Sequence, residues 1–151
     1  MGPILIGYDG SEHARAAIER AGTLLRPGPA VVVTVWSTLE AAAPAALVAL
    51  PSDVVAGAVA DIDAATGEAA EATAAEGAEL ATAAGFDARP HAARSAGAVF
   101  AALIACADEL DAGALVLGTR GRSTLAATLL GSVSTGVLHH TARPVLVARA
   151  G

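Results

Sequence analysis

Val116-Leu-Gly118-Thr-Arg-Gly121-Arg-Ser-Thr-Leu-Ala-Ala-Thr-Leu-Leu-Gly131-Ser132-Val133-Ser134 carries two close glycines, a nine-residue spacer and a Gly-Ser pair, directly after the apolar run Ala114-Leu-Val-Leu117. This order reads as a strand, a glycine loop and the start of a helix. Gly118 and Gly121 let the chain turn sharply and bring backbone N–H groups near an anion. A helix opening at Gly131-Ser132 adds free N–H groups and a dipole that favours negative charge. Two sets of donors then converge on one polyphosphate. A lone Gly-x-x-Gly fits a solvated surface loop equally well; the spacer and the Gly-Ser pair are what argue for phosphate.

Working outward, Ile4-Leu-Ile-Gly-Tyr reads as a buried first strand ended by Asp9-Gly10, with Ser11 capping a helix over 11–25. Its apolar stripe is Ala14, Ala17, Ile18, Ala21, Leu24 and Leu25. Pro27-Gly28-Pro29 stops it, and Ala30-Val-Val-Val-Thr-Val-Trp36 is a second continuous apolar strand. Residues 37–52 are rich in alanine and proline without a period and read as a loop able to act as a lid. A long helix over 53–84 follows, with Val55, Val59, Ile62, Ala65, Ala69, Ala72 and Leu80 as its buried stripe, strong in the first half and weakened by Thr73 and Glu76 in the second. Its glycines, Gly57, Gly67 and Gly77, each cost roughly 1 kcal/mol against alanine and predict bending or fraying. Residues 86–93 form a third, edge strand. A helix over 96–110 carries Val99, Phe100, Leu103, Ile104 and Ala107 on one face. Residues 114–117 are the fourth strand, 132–141 the last helix and 145–148 the fifth strand. The alternation predicts an α/β fold with an open, parallel, five-stranded sheet of order 3-2-1-4-5 and helices on both faces, Rossmann-like in plan. In that order strands 1 and 4 are neighbours whose connections leave in opposite directions. Asp9 and the Gly118 loop both fall at the carboxyl ends of these strands, where a crevice opens.

Composition bounds the rest. A chain of 151 residues fits one domain, 1–151. The hydrophobic fraction of 54% and the mean hydropathy of +0.58 are raised by alanine, since aromatics make up only 3%. The longest uncharged run, 123–142, approaches the roughly 20 apolar residues of a membrane span but is interrupted by Gly131-Ser132, Ser134-Thr-Gly136 and His139-His140. With no basic n-region before the first strand, the expected location is cytoplasmic. A net charge of −6 argues against nucleic-acid or anionic-membrane partners. All nine basic residues are arginine, which excludes lysine-dependent catalysis and a Walker A loop. The single cysteine, Cys106, excludes an intrachain disulfide and multi-cysteine zinc sites. Arginine-only, alanine-rich usage points to a bacterial genome of high GC content.

The pattern Gly118-x-x-Gly121, nine residues, Gly131-Ser132, together with Ile4-Leu-Ile-Gly-Tyr-Asp9-Gly-Ser11 and Ala142-Arg-Pro144-Val-Leu-Val147, resembles the universal stress protein family in its ATP-binding subgroup. The resemblance spans the chain apart from about 37–85. It implies an adenine nucleotide alpha hydrolase-like fold and a crevice that holds ATP, with Mg2+ bridging the phosphates. Gly118, Arg120, Gly121, Gly131, Ser132, Val133 and Ser134 match the family's phosphate-binding positions, with Arg122 an added charge-assisted donor at the loop. Gly7 and Val35, expected at matching positions of strands 1 and 2, fall where the family lines its adenine pocket, although each is equally a core residue; Leu117 is also assigned to the nucleotide. Asp9 is assigned to ribose or adenine by the resemblance, and to a turn that bonds its own backbone by spacing alone. The resemblance further implies a homodimer paired through strand 5, with Val145 and Val147 in the interface, and a protein client of unknown identity.

No catalytic constellation is legible. ATP hydrolysis needs a positioned base and stabilisation of the departing phosphoryl group, and beyond Asp9, Arg120 and Arg122 no set stands out, so any ATPase activity is expected to be slow. No metal ligands are assigned: adjacent His139 and His140 point about 100° apart on a helix and chelate poorly. His13 reads as a surface residue within reach of the crevice, His91 as outward from an edge, and Cys106 as a buried hydrophobe. The expected function is nucleotide-dependent sensing. The competing reading is a dimeric interaction module of the same fold that binds no nucleotide.

Overall fold

The computed structural model describes residues 1–48, 51–119 and 130–151. Its elements in chain order are β1 (Ile4–Gly7), α1 (Glu12–Leu24), β2 (Pro29–Ser37), α2 (Leu39–Ala42), α3 (Pro44–Leu47), α4 (Ser52–Ala83), β3 (Asp87–Ser95), α5 (Val99–Glu109), β4 (Ala114–Gly118), α6 (Ser132–His140) and β5 (Val145–Ala148). The five strands form one sheet in the order β3-β2-β1-β4-β5, and every pairing is parallel. The continuous apolar runs are explained by burial on both sides. Ile6, Val32 and Val116 face α1 and α4. Leu5, Val31 and Leu115 face α5 and α6. A period of two thus distributes one uninterrupted apolar string between two cores.

Local signals set the boundaries of α1. Ser11 Oγ accepts the N–H of Ala14 at 3.2 Å, and the helix closes at Leu25, just before Pro27. Ala14, Ala17, Ile18 and Ala21 are buried as expected, whereas Leu24 lies outside. Gly85, with φ of +102°, turns the chain out of α4 into β3. β3 is an edge strand, paired with β2 from Asp87 to Ser95, and its Pro90 is tolerated there.

Two expectations need correction. Residues 37–52 are not a plain loop: α2 and α3 lie within them. Thr38 Oγ1 caps α2 through Ala41 N (3.3 Å), and the Asp63 carboxylate of α4 accepts the N–H of Leu39 at 2.7 Å. Residues 49 and 50 lie outside the described residues. In α4 the buried stripe is displaced. Ala70, Ala74, Gly77, Ala78 and Ala81 are buried, all in the second half, while of the expected stripe Val55 and Val59 are only half-buried and Ile62 is 46% exposed. A 32-residue helix runs about 48 Å, and a nine-residue strand covers about 30 Å. Only part of α4 can therefore lie on the sheet, and that part has small residues because it packs closely.

Gly77 shows how closely. A Cβ there would stand 2.6 Å from the Tyr8 ring and 2.7 Å from Val32, whereas one on Gly57 would meet nothing within 4 Å. The Gly77→Ala variant is therefore expected to lose about 1–3 kcal/mol of stability through overpacking, despite alanine's helix propensity. Gly57→Ala is expected to be neutral or to gain up to about 1 kcal/mol. Urea unfolding of both variants checks the pair, and a stabilised Gly77→Ala would contradict this packing.

Candidate functional site

β1 and β4 lie side by side at the centre of the sheet, and the helices that follow them, α1 and α6, pack on opposite faces. The carboxyl ends of the two strands therefore part around a crevice, the usual ligand position in such sheets. The cavity there measures about 340 Å³ and is lined by Gly7, Asp9, Val35, Leu117, Gly118, Gly131, Ser132, Val133 and Ser134. All of these residues were singled out from the sequence. Arg120, Gly121 and Arg122 lie outside the described residues.

The cavity has two chemically distinct ends. Its apolar wall comprises Val33, Val35, Leu103 and Leu117, with Val99 at the rim. Gly7 keeps the strand bare at this point, since a Cβ there would come within 2.6 Å of Leu117 Cδ2. Its polar end is the first turn of α6. Gly131 is the N-cap residue and supplies no side chain, so the backbone donors of that turn are left for a ligand or solvent. The chain on either side of the glycine loop is clasped shut. Gly131 N–H donates to the Thr119 carbonyl at 2.6 Å, and Thr119 N–H donates to that of Ala148 at 2.8 Å. Ser134, only 2% exposed, lies within hydrogen-bond reach of the Thr119 and Gly131 carbonyls at 3.2 and 3.1 Å.

Several sequence assignments change in detail. Gly118 is not in the left-handed region; among the described glycines only Gly10 and Gly85 are. A Cβ on Gly118 would stand 2.7 Å from the carbonyl carbon of His13 and 2.8 Å from Ala14 N, so glycine is required here to let β4 abut the first turn of α1. The two readings of Asp9 coexist. Oδ1 accepts the N–H of Ser11 at 3.0 Å, closing the turn, and the residue also lines the cavity. The register pairs Gly7 with Val33, so Val35 reaches the cavity from two residues further along β2. His13 is half-buried, and its Nδ1 accepts the N–H of Ala150 at 3.0 Å. His140 Nδ1 donates to the Gly136 carbonyl (2.8 Å) while its ring stacks on Phe100. Cys106 is buried, and burial pushes its thiol above the ordinary range.

Sequence reasoning missed Tyr8, Ala14, Val33, Val99 and Leu103 as cavity residues. In the sequence Val99 and Leu103 lie on an apolar helical face. The available signal was topological: a helix that follows a parallel strand begins at the carboxyl edge of the sheet, where the crevice lies. Tyr8, 3% exposed, turns its ring toward α4, where its hydroxyl donates to Glu76 Oε1 at 2.7 Å and the Arg15 guanidinium pairs with the same oxygen.

A sequence model described as the Universal stress protein family matches residues 1–149. No curated protein sequence matches. Among solved structures, a universal stress protein from Archaeoglobus fulgidus is 21% identical with a TM-score of 0.70, over 99% of both chains. A universal stress protein in complex with cAMP is 28% identical with a TM-score of 0.65, over 99% of this chain and 98% of that one. The structure of an A. fulgidus universal stress protein in complex with dAMP is 19% identical with a TM-score of 0.60, over 99% and 98%. At 21% and 19% the likeness is one of fold.

Burial, and then the Glu76 carboxylate, push the Tyr8 phenol up to about 12. Because the unfolded phenol ionises near 10, this contribution to stability is fully present below about pH 10 and is lost as pH rises toward about 12. Tyr8 is the sole tyrosine, so phenolate absorbance reports it alone. The native protein should show no step near pH 10, and Glu76→Gln should move the step down without reaching the ordinary value, because burial remains. A native step at the ordinary position would contradict the Tyr8–Glu76 geometry.

Proposed function

This chain belongs to the universal stress protein family, and from that premise we propose that it is a cytoplasmic, nucleotide-dependent sensor or regulator of the stress response that holds ATP in the crevice between β1 and β4. The observation that carries the reading is one cavity with an apolar wall at one end and an uncapped helix start at the other. That pairing suits a ligand with a flat apolar base and an anionic tail. The base lies among Val33, Val35, Leu103 and Leu117 beside Gly7, Asp9 accepts from a ribose hydroxyl or the adenine amino group, and the phosphates meet the first turn of α6. Arg120, Gly121 and Arg122 are assigned to the phosphates from the sequence alone. The complexes of two structural relatives, one with cAMP and one with dAMP, support an adenine nucleotide as the ligand class.

Mg2+ fits this site as a companion of the phosphates. Asp9 is the sole carboxylate among the described lining residues, and no cluster of three or more histidines, cysteines or carboxylates suited to a metal occurs among the described residues. Phosphate oxygens and water would supply most of its ligands, and the ion would neutralise phosphate charge. The same scarcity bears on turnover. The described lining offers no residue beyond Asp9 to activate water, so hydrolysis is proposed to be slow at most, with binding itself as the signal.

Titration of nucleotide-free protein with Mg-ATP tests the site. Wild type is expected to bind, and Gly131→Val, checked for native folding, is expected to bind at least about tenfold more weakly because its side chain crowds the start of α6. Gly118 is unsuitable for this purpose, since any substituent there strikes the His13 main chain. Absence of binding to wild type would favour the interaction-module reading.

We further propose a homodimer through β5. This strand bonds β4 on one side and is the last of the sheet, so Val145 and Val147 lie on an apolar strand whose outer edge would otherwise invite uncontrolled pairing. Val147→Glu is expected to convert a dimer into a monomer on sizing, with its circular dichroism unchanged. An unaltered dimer would disprove this interface.

A further inference from the structure

His13 occupies a junction that its place in the first turn of α1 does not announce. Its Nδ1 accepts the backbone N–H of Ala150, in the tail beyond β5, at 3.0 Å, and lies 3.3 Å from Thr119 Oγ1. Its main chain is the surface against which Gly118 packs. Thr119 is in turn the residue whose carbonyl receives the Gly131 N–H and whose N–H reaches Ala148. One imidazole nitrogen therefore touches the start of α1, the exit of β4 and the tail after β5. To accept an amide N–H, Nδ1 must carry a lone pair, which leaves Nε2 as the ring's donor in this arrangement.

We infer that His13 is a positioning residue for the nucleotide's phosphate end, and that it couples this end to the tail that follows the edge strand β5; the inference rests on the nucleotide reading above. The coupling is steric and directional. Thr119 carries the clasp that places the first turn of α6, and His13 Nδ1, 3.3 Å from the Thr119 hydroxyl, limits the movement of Thr119. Without the acceptor, the Ala150 N–H loses its partner and the Thr119 hydroxyl loses its neighbour. The junction then relaxes where the phosphates would sit. Linkage makes the effect reciprocal: a ligand that fixes α6 against Thr119 also fixes the tail against His13.

The test is calorimetric titration with Mg-ATP of wild type, His13→Ala and His13→Asn, with amide hydrogen exchange at Ala150 followed in each. Asparagine keeps an oxygen acceptor near the place of Nδ1; alanine does not. His13→Ala is expected to bind about three- to tenfold more weakly, the equivalent of one net hydrogen bond. It should also lose the nucleotide-dependent protection of Ala150 that wild type shows, and His13→Asn should restore both. Wild type that binds while His13→Ala binds equally well, with Ala150 exchange unchanged by nucleotide, overturns the inference and leaves the nucleotide reading standing. Wild type that fails to bind overturns both. Should His13→Ala not fold, the imidazole nitrogen–proton correlation spectrum of wild type decides: an unprotonated Nδ1 is expected, and a proton on Nδ1 overturns the proposal.

Discussion

The carbonyl oxygen of Thr119 accepts the N–H of Gly131 at 2.6 Å, and what the crevice offers an anion depends on that bond. A glycine-bearing connection between a strand and a helix has many ways to aim the helix. Here its two ends are fastened to each other, and the nearby Ser134 hydroxyl reinforces the fastening. The first turn of α6 is thereby fixed relative to β4, and through the pairing of β4 with β1 it is fixed relative to Asp9. Backbone donors become a binding surface only when they are held at constant distance from the rest of a site; otherwise each ligand must itself bear the cost of ordering them.

Small residues make the close approaches on which this geometry depends. Gly118 lets β4 touch α1, Gly7 leaves space beside Leu117, Gly77 receives the Tyr8 ring, and Gly136 receives Phe100. The alanine content follows from the same requirement. Buried positions of α1 and α4 are largely alanine because both helices lie close to the sheet, and alanine adds no side-chain entropy cost. The apolar wall of the cavity is valine and leucine, with Tyr8 the one aromatic residue among the described lining, as expected of a chain with so few aromatics.

The sheet and its order were legible because each strand is a continuous apolar run between turn residues and because parallel crossovers have one permitted hand. The glycine motif placed the polar end of the crevice for the same reason: strand, glycine and Gly-Ser are local signals. What escaped was long-range. The buried stripe of α4 is not legible because alanine and glycine carry almost no hydropathy contrast, so periodicity cannot tell a face that packs from one that does not. Val99 and Leu103 look like core in any one-dimensional reading, and only the assembled sheet brings α5 to the crevice. His13 reads as a surface residue in the sequence because its partners, Thr119 and Ala150, are more than 100 positions away.

The central claim is that one crevice reads a nucleotide by two means, an apolar wall for the base and a clasped helix start for the phosphates. The most direct measurement is a crystal structure of the protein grown with Mg-ATP. The account predicts the base between Val35 and Leu103 and the phosphates on the backbone of the first α6 turn. A nucleotide lying elsewhere, or phosphates turned away from that turn, would contradict it.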